Sequence, residues 1–430
     1  MRLGSSNNPL LPPAKAGPSS SSYAPTTLTS FEVFTNSAIQ IWISDPQKHG
    51  EGTTAFVTYL ITTKTILESF SVPEFSVRRR FTDFVWLNKY LGDECPACII
   101  PPLPDKHRME YITGDRFSTE FIEKRRLSLQ IYLDRVSRHP TLQRSQTLKQ
   151  FLESSDLVGL GDAKKDAYVF EGLSDVLINV FTKVKKPDER ALLYRAGVDK
   201  LEENLTAVEK MAAKLVKQES ELELDYAELA GLMTTLGNME TQITVPLSEF
   251  GHTIRDASLL LKDKIQNEEN DYLSNLRDYI AYCHSVREVL KLNDQKQMDF
   301  EALTGYLESY TAERERLLYP GRNANSLSTF FKDKYQELKG VDLEKAKVAR
   351  IGRLELKIAE LQDAVDSSHQ TAEAFTNEIS KEMDLFEANK SMDFKEILRR
   401  STDAQLEYHQ RGQKLWDDLI PILEGIRLVE

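Results

Sequence analysis

Cysteine is scarce in this chain: three among 430 residues, Cys95, Cys98 and Cys283. An odd, sparse set excludes the disulfide framework of small secreted domains and fits a reducing, cytosolic setting. No apolar run approaches the ~20 residues that a spanning helix needs, so any contact with a membrane is expected to be peripheral. Residues 1–30 lack an apolar core segment, so no signal peptide is expected there. Positive charge is in deficit, with 55 Lys+Arg against 67 Asp+Glu and a net charge of −12. That argues against bulk nucleic-acid binding and leaves room for a local basic patch. The seven histidines are scattered. There is no His-Glu-x-x-His, no Gly-rich phosphate loop leading into a suitable lysine, and no nucleophile elbow. Neither an enzyme nor a cofactor or bound metal is expected.

Proline is also missing from most of the chain. Twelve of the sixteen prolines precede residue 160 and four follow it. A proline costs about 3 kcal/mol inside a helix, so the second part is free to be almost wholly helical. Charge divides at the same place. Residues 31–155 carry 16 Lys+Arg against 15 Asp+Glu, and residues 156–430 carry 37 against 52. Two unlike domains are expected.

Residues 1–30, rich in Ser, Pro, Asn and Gly, cannot bury enough surface to offset their ordering entropy and are expected to be a disordered tail. Residues 31–155 begin in the strand manner. Ile39, Ile41 and Ile43 alternate with polar or aromatic neighbours, Phe56 to Ile61 is a second β-rich run, and Pro73 to Arg80 leads into a third. Turns are expected at Asp45-Pro46 and Gly50-Glu51-Gly52. Helical spacing begins at Thr82-Asp83, either of which can serve as the cap. Residues 96–105 hold four prolines and read as a stiff, extended loop. Residues 117–136 and 141–153 read as two helices, the first with Phe121, Leu129, Leu133 and Val136 on one face. The sum is a small α+β module with a three-stranded antiparallel sheet.

Three stretches of this module suggest an anionic ligand held from several sides: Arg78-Arg79-Arg80-Phe81, Pro101-Pro102-Leu103-Pro104-Asp105-Lys106, and Phe121-Ile122-Glu123-Lys124-Arg125-Arg126. Arginine forks grip phosphate oxygens, an aromatic face carries a ring, and lysine adds a mobile point charge. Taken singly, each cation reads better as a solvated strand end or surface helix residue; the set at these spacings reads as a pocket. Arg78 and Arg79 are the weaker candidates, because strand alternation turns one of them away from the ligand. Beside the loop, Met109, Tyr111 and Ile112 are flanked by Arg108 and Arg116. Two readings stand: insertion into a bilayer interface, or packing on the domain. Cys95-Pro96-Ala97-Cys98 has no second pair for a zinc site and no βαβ setting for a redox motif, so it reads as two free thiols.

Residues 156–187 carry Val169, Leu173, Val176, Leu177, Val180 and Val184 at steps of three and four, an amphipathic linker helix. It either lies in a membrane interface or covers the seam between the domains. Residues 188–430 turn heptad-like. Leu201, Leu205, Val208, Ala212, Leu215, Leu222, Tyr226 and Leu229 keep the rhythm with one break at Glu219. Tyr272 to Leu290 repeats it, and Ile351 to Ile379 is the cleanest run. Breaks at Gly237 to Pro246 and at Pro320-Gly321 leave three long helices. The last, from about Val341 to Arg427, would be ~130 Å long. Such helices need one another and a partner chain to bury their faces. Nine cations lie between Arg322 and Lys357 against five acids. Lys332, Lys334, Lys345, Lys347 and Arg350 are therefore candidates for a membrane-facing surface, each worth about 1 kcal/mol near anionic lipid. The plain alternative is a solvated helix face with i,i+4 pairs.

The order of strands, Arg-Arg-Phe-x-Asp-Phe, proline loop and Phe-Ile-Glu-x-Arg helix resembles a PX domain. The resemblance implies binding of phosphatidylinositol 3-phosphate: Arg80 on the 3-phosphate, Phe81 under the inositol ring, Lys106 on the 1-phosphate and Arg125 on the 4- and 5-hydroxyls. The family more often has Tyr at the stacking position, and Phe81 keeps the π-face. Three long helices after a PX domain resemble a BAR domain, a dimer that senses or imposes membrane curvature. The pairing is that of the PX–BAR sorting nexins. Thr329-Phe330-Phe331, Lys332 to Arg353 and Leu415-Trp416-Asp417 resemble one subgroup of that branch. It implies a non-catalytic protein of early endosome membranes, with a part in recycling, selective autophagy and, by extension, sites of autophagosome assembly. It also implies pairing with a second PX–BAR sorting nexin or with itself as an elongated dimer. The alternative is a coiled-coil tether that binds the same lipid without shaping membranes.

Overall fold

The computed structural model describes residues 38–51, 55–104, 117–155, 157, 188–319 and 343–426. The expected tail and, apart from Leu157, the expected linker helix lie outside the described residues. The first module opens with β1 (Ile39–His49), β2 (Phe56–Thr65) and β3 (Glu74–Arg80), an antiparallel sheet in the order β1-β2-β3. Ile39, Ile41 and Ile43 are buried, as their alternation requires. The turn expected at Asp45-Pro46 is instead a bulge within β1. Asp45 adopts a left-handed φ of 44°, which a short polar side chain tolerates, and the pairing register shifts between Ser44 and Gln47. The chain reverses further on, where Gly50 takes φ 75°.

Four helical pieces pack on the sheet: α1 (Phe81–Glu94), α2 (Thr119–Arg138), a 3-10 turn (Leu142–Arg144) and α3 (Gln146–Glu153). The helix expected over 141–153 is broken because the Ser145 hydroxyl accepts the Leu148 N–H at 2.9 Å and restarts it. The Glu94 carboxylate accepts the Gln146 and Thr147 N–H groups at 2.9 Å each, so α1 caps α3 with a negative charge. Phe84, Leu87, Leu91, Leu129, Tyr132, Leu133, Val136 and Phe151 fill the core between them. The open edge of β1 is closed by one side chain of α2. Gln130 donates to the Ile41 carbonyl and accepts the Ile43 N–H, both at 2.7 Å, as a neighbouring strand would. That bond fixes the rotation of α2 against the sheet.

Gln130 also donates to Asp134 at 2.8 Å. Burial pushes the Asp134 carboxyl up to about 6, against the pull of the Gln130 amide and of Arg138 and Arg135. A carboxyl raised in the folded state favours folding only while it is protonated. Its contribution therefore worsens as pH rises from about 4 to 6. Asp134→Asn keeps the acceptor for Gln130 and removes the buried charge. It is expected to add about 1–2 kcal/mol of stability at neutral pH and little at about pH 4.5. Urea titrations at the two pH values check this; a variant less stable at neutral pH refutes it.

The second half consists of α4 (Glu189–Met239), α5 (Thr244–Asn267), a π-helical turn (Glu268–Leu273), α6 (Ser274–Leu318) and α7 (Leu343–Glu424). The segment from α5 to α6 is one rod interrupted by the π turn, so the bundle has three long helices. At 1.5 Å per residue α7 is about 120 Å long, and Pro421 sits harmlessly in its last turn. Asp188 caps α4 through the Arg190 N–H at 3.0 Å. The turn between α4 and α5 is tight. A Cβ on Gly251 would lie 2.8 Å from the Thr234 hydroxyl and 3.1 Å from the Ala230 carbonyl, so only glycine fits there. Ion pairs Arg195–Asp294, Arg287–Asp199, Arg277–Glu209 and Lys264–Glu219 step along the α4 seam in antiparallel register. The last explains the break in the apolar rhythm at Glu219. Lys264 reaches Glu219 at 2.5 Å and Glu268 at 3.0 Å within the helix packing.

Leu276, Tyr279, Cys283, Val286 and Leu290 of α6 are buried, as are Leu354, Leu361, Val365, Ala372, Phe375 and Ile379 of α7. The α4 seam behaves differently. Leu205 is buried, whereas Val208, Leu215, Leu222 and Leu229 are exposed.

Candidate functional site

The three arginines at the end of β3 go three ways. Arg79 turns inward and donates to the Phe151 carbonyl from Nε (2.8 Å) and Nη2 (2.6 Å) and to the Ser154 carbonyl, placing a cation at the C-terminus of α3. Arg78 pairs with Asp45, the bulge residue, and reaches the Thr58 hydroxyl at 3.4 Å. Arg80 turns outward. It is the N-cap residue of α1, and its backbone N–H donates to Asp83 at 2.9 Å. The cap expected at Thr82 or Asp83 thus lies two or three residues earlier, at Arg80, with Asp83 answering it from N3. The Arg80 guanidinium is half exposed, and its Nε lies 3.3 Å from Asp83.

The three cations near the start of α2 divide in the same manner. Ser118 caps this helix, its hydroxyl accepting the Phe121 N–H at 3.3 Å. Lys124 points at Glu269 on the π turn, 3.9 Å away. Arg126 forks onto Glu123, holding that carboxyl below its ordinary range, and donates to the Ile43 carbonyl at 2.7 Å. Arg125 faces the end of β3. Its Cζ lies 4.5 Å from the centre of the Phe81 ring and 4.6 Å from that of Phe121. A guanidinium between two aromatic faces is held by their quadrupoles and stays flat. The structure therefore brings together three of the four expected headgroup residues, Arg80, Phe81 and Arg125. A ring stacking on Phe81 takes the face opposite Arg125 or displaces it. Lys106, Met109, Tyr111 and Ile112 lie outside the described residues.

A second set of residues, absent from the sequence reading, ties this module to the helices. Glu382 of α7 accepts the Ile99 N–H at 3.0 Å and meets His139 Nε2 at 2.9 Å. Asp393, about three helical turns further along, accepts Arg135 Nε (3.2 Å), both terminal nitrogens of Arg138 (3.2 Å each) and the Tyr279 hydroxyl (2.6 Å). Burial pushes the Asp393 carboxyl up, and the Arg135 and Arg138 guanidiniums outweigh it, holding the group below its usual value. Arg135 is itself buried, its Cζ 4.9 Å from the Tyr279 ring centre and 5.4 Å from that of Tyr282. Ile99 packs into the apolar cluster of α4, α6 and α7. The one sequence signal was the polar set Arg135, Arg138 and His139 at the end of an otherwise apolar helix face.

Comparison with known proteins agrees with this architecture. The PX domain model matches residues 67–155, and a model described as Vps5 C terminal like matches residues 167–341. Sorting nexin-4 of Cryptococcus neoformans is 39% identical over 402 residues, covering 91% of this chain and 82% of that protein. Sorting nexin-4 of Emericella nidulans is 39% identical over 401 residues, covering 89% and 82%. The chain belongs to the sorting nexin-4 family. Among solved structures, the cryo-EM structure of the SNX-BAR Mvp1 tetramer matches with a TM-score of 0.56 at 17% identity, covering 88% of this chain and 99% of that one. It bears on the fold alone: a PX domain with a three-stranded antiparallel sheet, followed by a helical BAR domain.

Membership in the sorting nexin-4 family carries a membrane-associated sorting role. No described helix is long and apolar enough to cross a membrane. Of the basic residues expected to face lipid, Lys332 and Lys334 lie outside the described residues. Lys345 is exposed and Lys347 half-buried near the start of α7. Arg350 pairs with Glu313 of α6 while remaining largely exposed. That cation links the two helices, a pair between helices rather than the i,i+4 pair within one helix of the plain alternative.

Proposed function

We propose that this sorting nexin-4 family member binds phosphatidylinositol 3-phosphate and acts without catalysis in endosomal sorting and recycling and in selective autophagy. In this reading Arg80 takes the 3-phosphate, Phe81 the inositol ring, Arg125 the 4- and 5-hydroxyls and Lys106 the 1-phosphate. The protein sits peripherally on early endosomes and pairs through its helices with another PX–BAR sorting nexin or with a second copy. The observation that supports it most is the Arg80–Phe81–Arg125 constellation. It sets an outward-facing fork and a ring-stacked fork around one aromatic side chain, while the neighbouring cations Arg78, Arg79, Lys124 and Arg126 are engaged elsewhere. A headgroup with a phosphate at one end and hydroxyls at the other matches that division. Two such pockets on a paired chain, with a basic helix surface, act together through effective concentration.

Liposome co-sedimentation tests this, using vesicles with phosphatidylinositol 3-phosphate, its 4-phosphate isomer or unphosphorylated lipid. The chain is expected to bind the first alone. Arg80→Ala removes a charge-assisted fork and is expected to weaken binding roughly 10- to 150-fold, from about 1.5–3 kcal/mol. Binding that ignores the phosphate position, or survives the substitution, assigns recruitment to the charge of the helical domain instead.

A further inference from the structure

Beside the joint between the two domains lies the Cys95-Pro96-Ala97-Cys98 motif. It forms a turn at the end of α1, closed by the Cys98 N–H donating to the Cys95 carbonyl at 3.0 Å. A turn of that kind brings its first and fourth Cα atoms within about 7 Å, inside the span a disulfide bridges at its upper end. The Cys98 backbone leads directly into the Ile99 N–H that Glu382 accepts at 3.0 Å. Cys95 is half-buried and Cys98 is 4% exposed.

Cys98, His139 and Glu382 present donor atoms within 4.8 Å of one another, a set chemically suited to zinc. The histidine argues against that occupant. Its Nδ1 accepts the N–H groups of Thr141 and Leu142, each at 3.2 Å. The ring proton is therefore on Nε2, directed at Glu382. A metal on Nε2 would move that proton to Nδ1, against two backbone donors, where metal-bound histidines instead need an acceptor. Glu382 is thus held by two donors, the Ile99 N–H and the His139 Nε2–H, with the Cys98 sulfur within 4.8 Å.

We propose that Cys95 and Cys98 are a dithiol oxidised by hydroperoxides, and that closing their disulfide pulls Cys98 and the adjoining Ile99 N–H away from Glu382 and loosens the joint. The Cys95 thiolate attacks the outer peroxide oxygen, giving a sulfenic acid and an alkoxide or hydroxide that takes up a proton. Cys98 sulfur then attacks the Cys95 sulfur. The S–O bond breaks, and the hydroxyl leaves as water with the Cys98 proton. Two thiols and one hydroperoxide thus yield one disulfide, one alcohol (or water) and one water. The order follows from the surroundings. Cys95 is the accessible sulfur, and its hydrogen bond from Cys98 lowers its pKa against burial and the charges of Glu94 and Glu382. Cys98 is shielded, and its hydrogen bond with Cys95, burial and Glu382 all keep it a thiol.

The test treats the full chain with a slight excess of hydrogen peroxide and counts thiols after denaturation. The count is expected to fall from three to one, with the peptide holding Cys95 and Cys98 lighter by two hydrogen atoms and restored by dithiothreitol. Cys283 remains, because it is buried and its thiol is pushed up to about 11. In Cys98→Ser the reaction is expected to stop at a Cys95 sulfenic acid that dimedone captures. Three surviving thiols, or Cys95 advancing to sulfinic acid beside an intact Cys98, overturn the dithiol. Hydrogen exchange reads the joint in the wild-type chain without any substitution. The Ile99 amide is expected to exchange about tenfold faster after oxidation, and an unchanged rate overturns the coupling.

Discussion

Asp393→Ala is expected to lower the stability of the chain by about 3–5 kcal/mol and to free the PX domain from the helices. The size follows from what the substitution leaves behind. Arg135 and Arg138 converge on this one carboxylate from α2, and Tyr279 donates to it from α6. The Arg135 side chain is 4% exposed, so water cannot replace the lost acceptor. The faces of Tyr279 and Tyr282 offset part of the charge but accept no strong hydrogen bond. Arg138→Ala should cost much less, because its side chain is 18% exposed and Asp393 keeps Arg135 and Tyr279. Urea unfolding gives the magnitude. Limited proteolysis gives the mechanism, with cleavage between the domains accelerating in Asp393→Ala.

The pH dependence separates this carboxyl from Asp134. Asp393 is held below its ordinary value in the folded state, so its contribution is present above about pH 4 and disappears as pH falls through the folded value. The gap between wild type and Asp393→Ala should therefore stay constant from about pH 5 to 8 and narrow only in acid. The Asp134→Asn difference instead grows as pH rises from about 4 to 6 and then levels off. A loss under about 1 kcal/mol, or unchanged proteolysis, would show that the two domains are held by the Ile99 packing instead.

The division between what the sequence discloses and what it hides is physical. Local period was readable: the Ile39-Ile41-Ile43 alternation, and the steps of three and four from Ile351 to Ile379, each name the buried face of one element. The Arg-Arg-Phe run could be read as a ligand site, but not how its cations would divide. That depends on the bulge that brings Asp45 to Arg78, and on the end of α3 that draws in Arg79. The domain joint left only one hint, Arg135, Arg138 and His139 at the end of an otherwise apolar helix face. Its partners lie 243 to 283 residues apart, and no periodicity links His139 or Ile99 to Glu382 or Arg135 to Asp393. Heptad spacing in α4 was legible, but not its direction. A seam that faces a sister helix and one that faces another molecule share a single pattern, and only the packed bundle distinguishes them.

That uncovered seam sets the last expectation, that Leu222→Glu abolishes pairing while leaving the single chain folded. Val208, Leu215, Leu222, Leu229 and Leu236 recur every seven residues on α4, each between 36% and 50% exposed. The neighbouring face, about 100° round the helix, packs on α5 through Ala230 and Gly237. The stripe is thus complete in spacing and uncovered in one chain, which is the state expected of a helix that waits for a partner. Because a two-fold interface repeats each residue, one substitution removes two leucines and brings two carboxylates into an apolar seam. Losing about 1.5–3 kcal/mol per leucine weakens association roughly 10²- to 10⁴-fold before the buried charges are counted. Sedimentation should show a monomer at micromolar concentration, with the unfolding midpoint of the dilute protein unchanged. Leu361→Glu, at a position 9% exposed inside the bundle, should unfold the chain instead. The monomer keeps one intact headgroup pocket, so its binding to 3-phosphate vesicles should fall to that of a single site rather than vanish. A Leu222→Glu chain that still pairs, or that unfolds as a monomer, would place the interface elsewhere and return the α4 seam to the core.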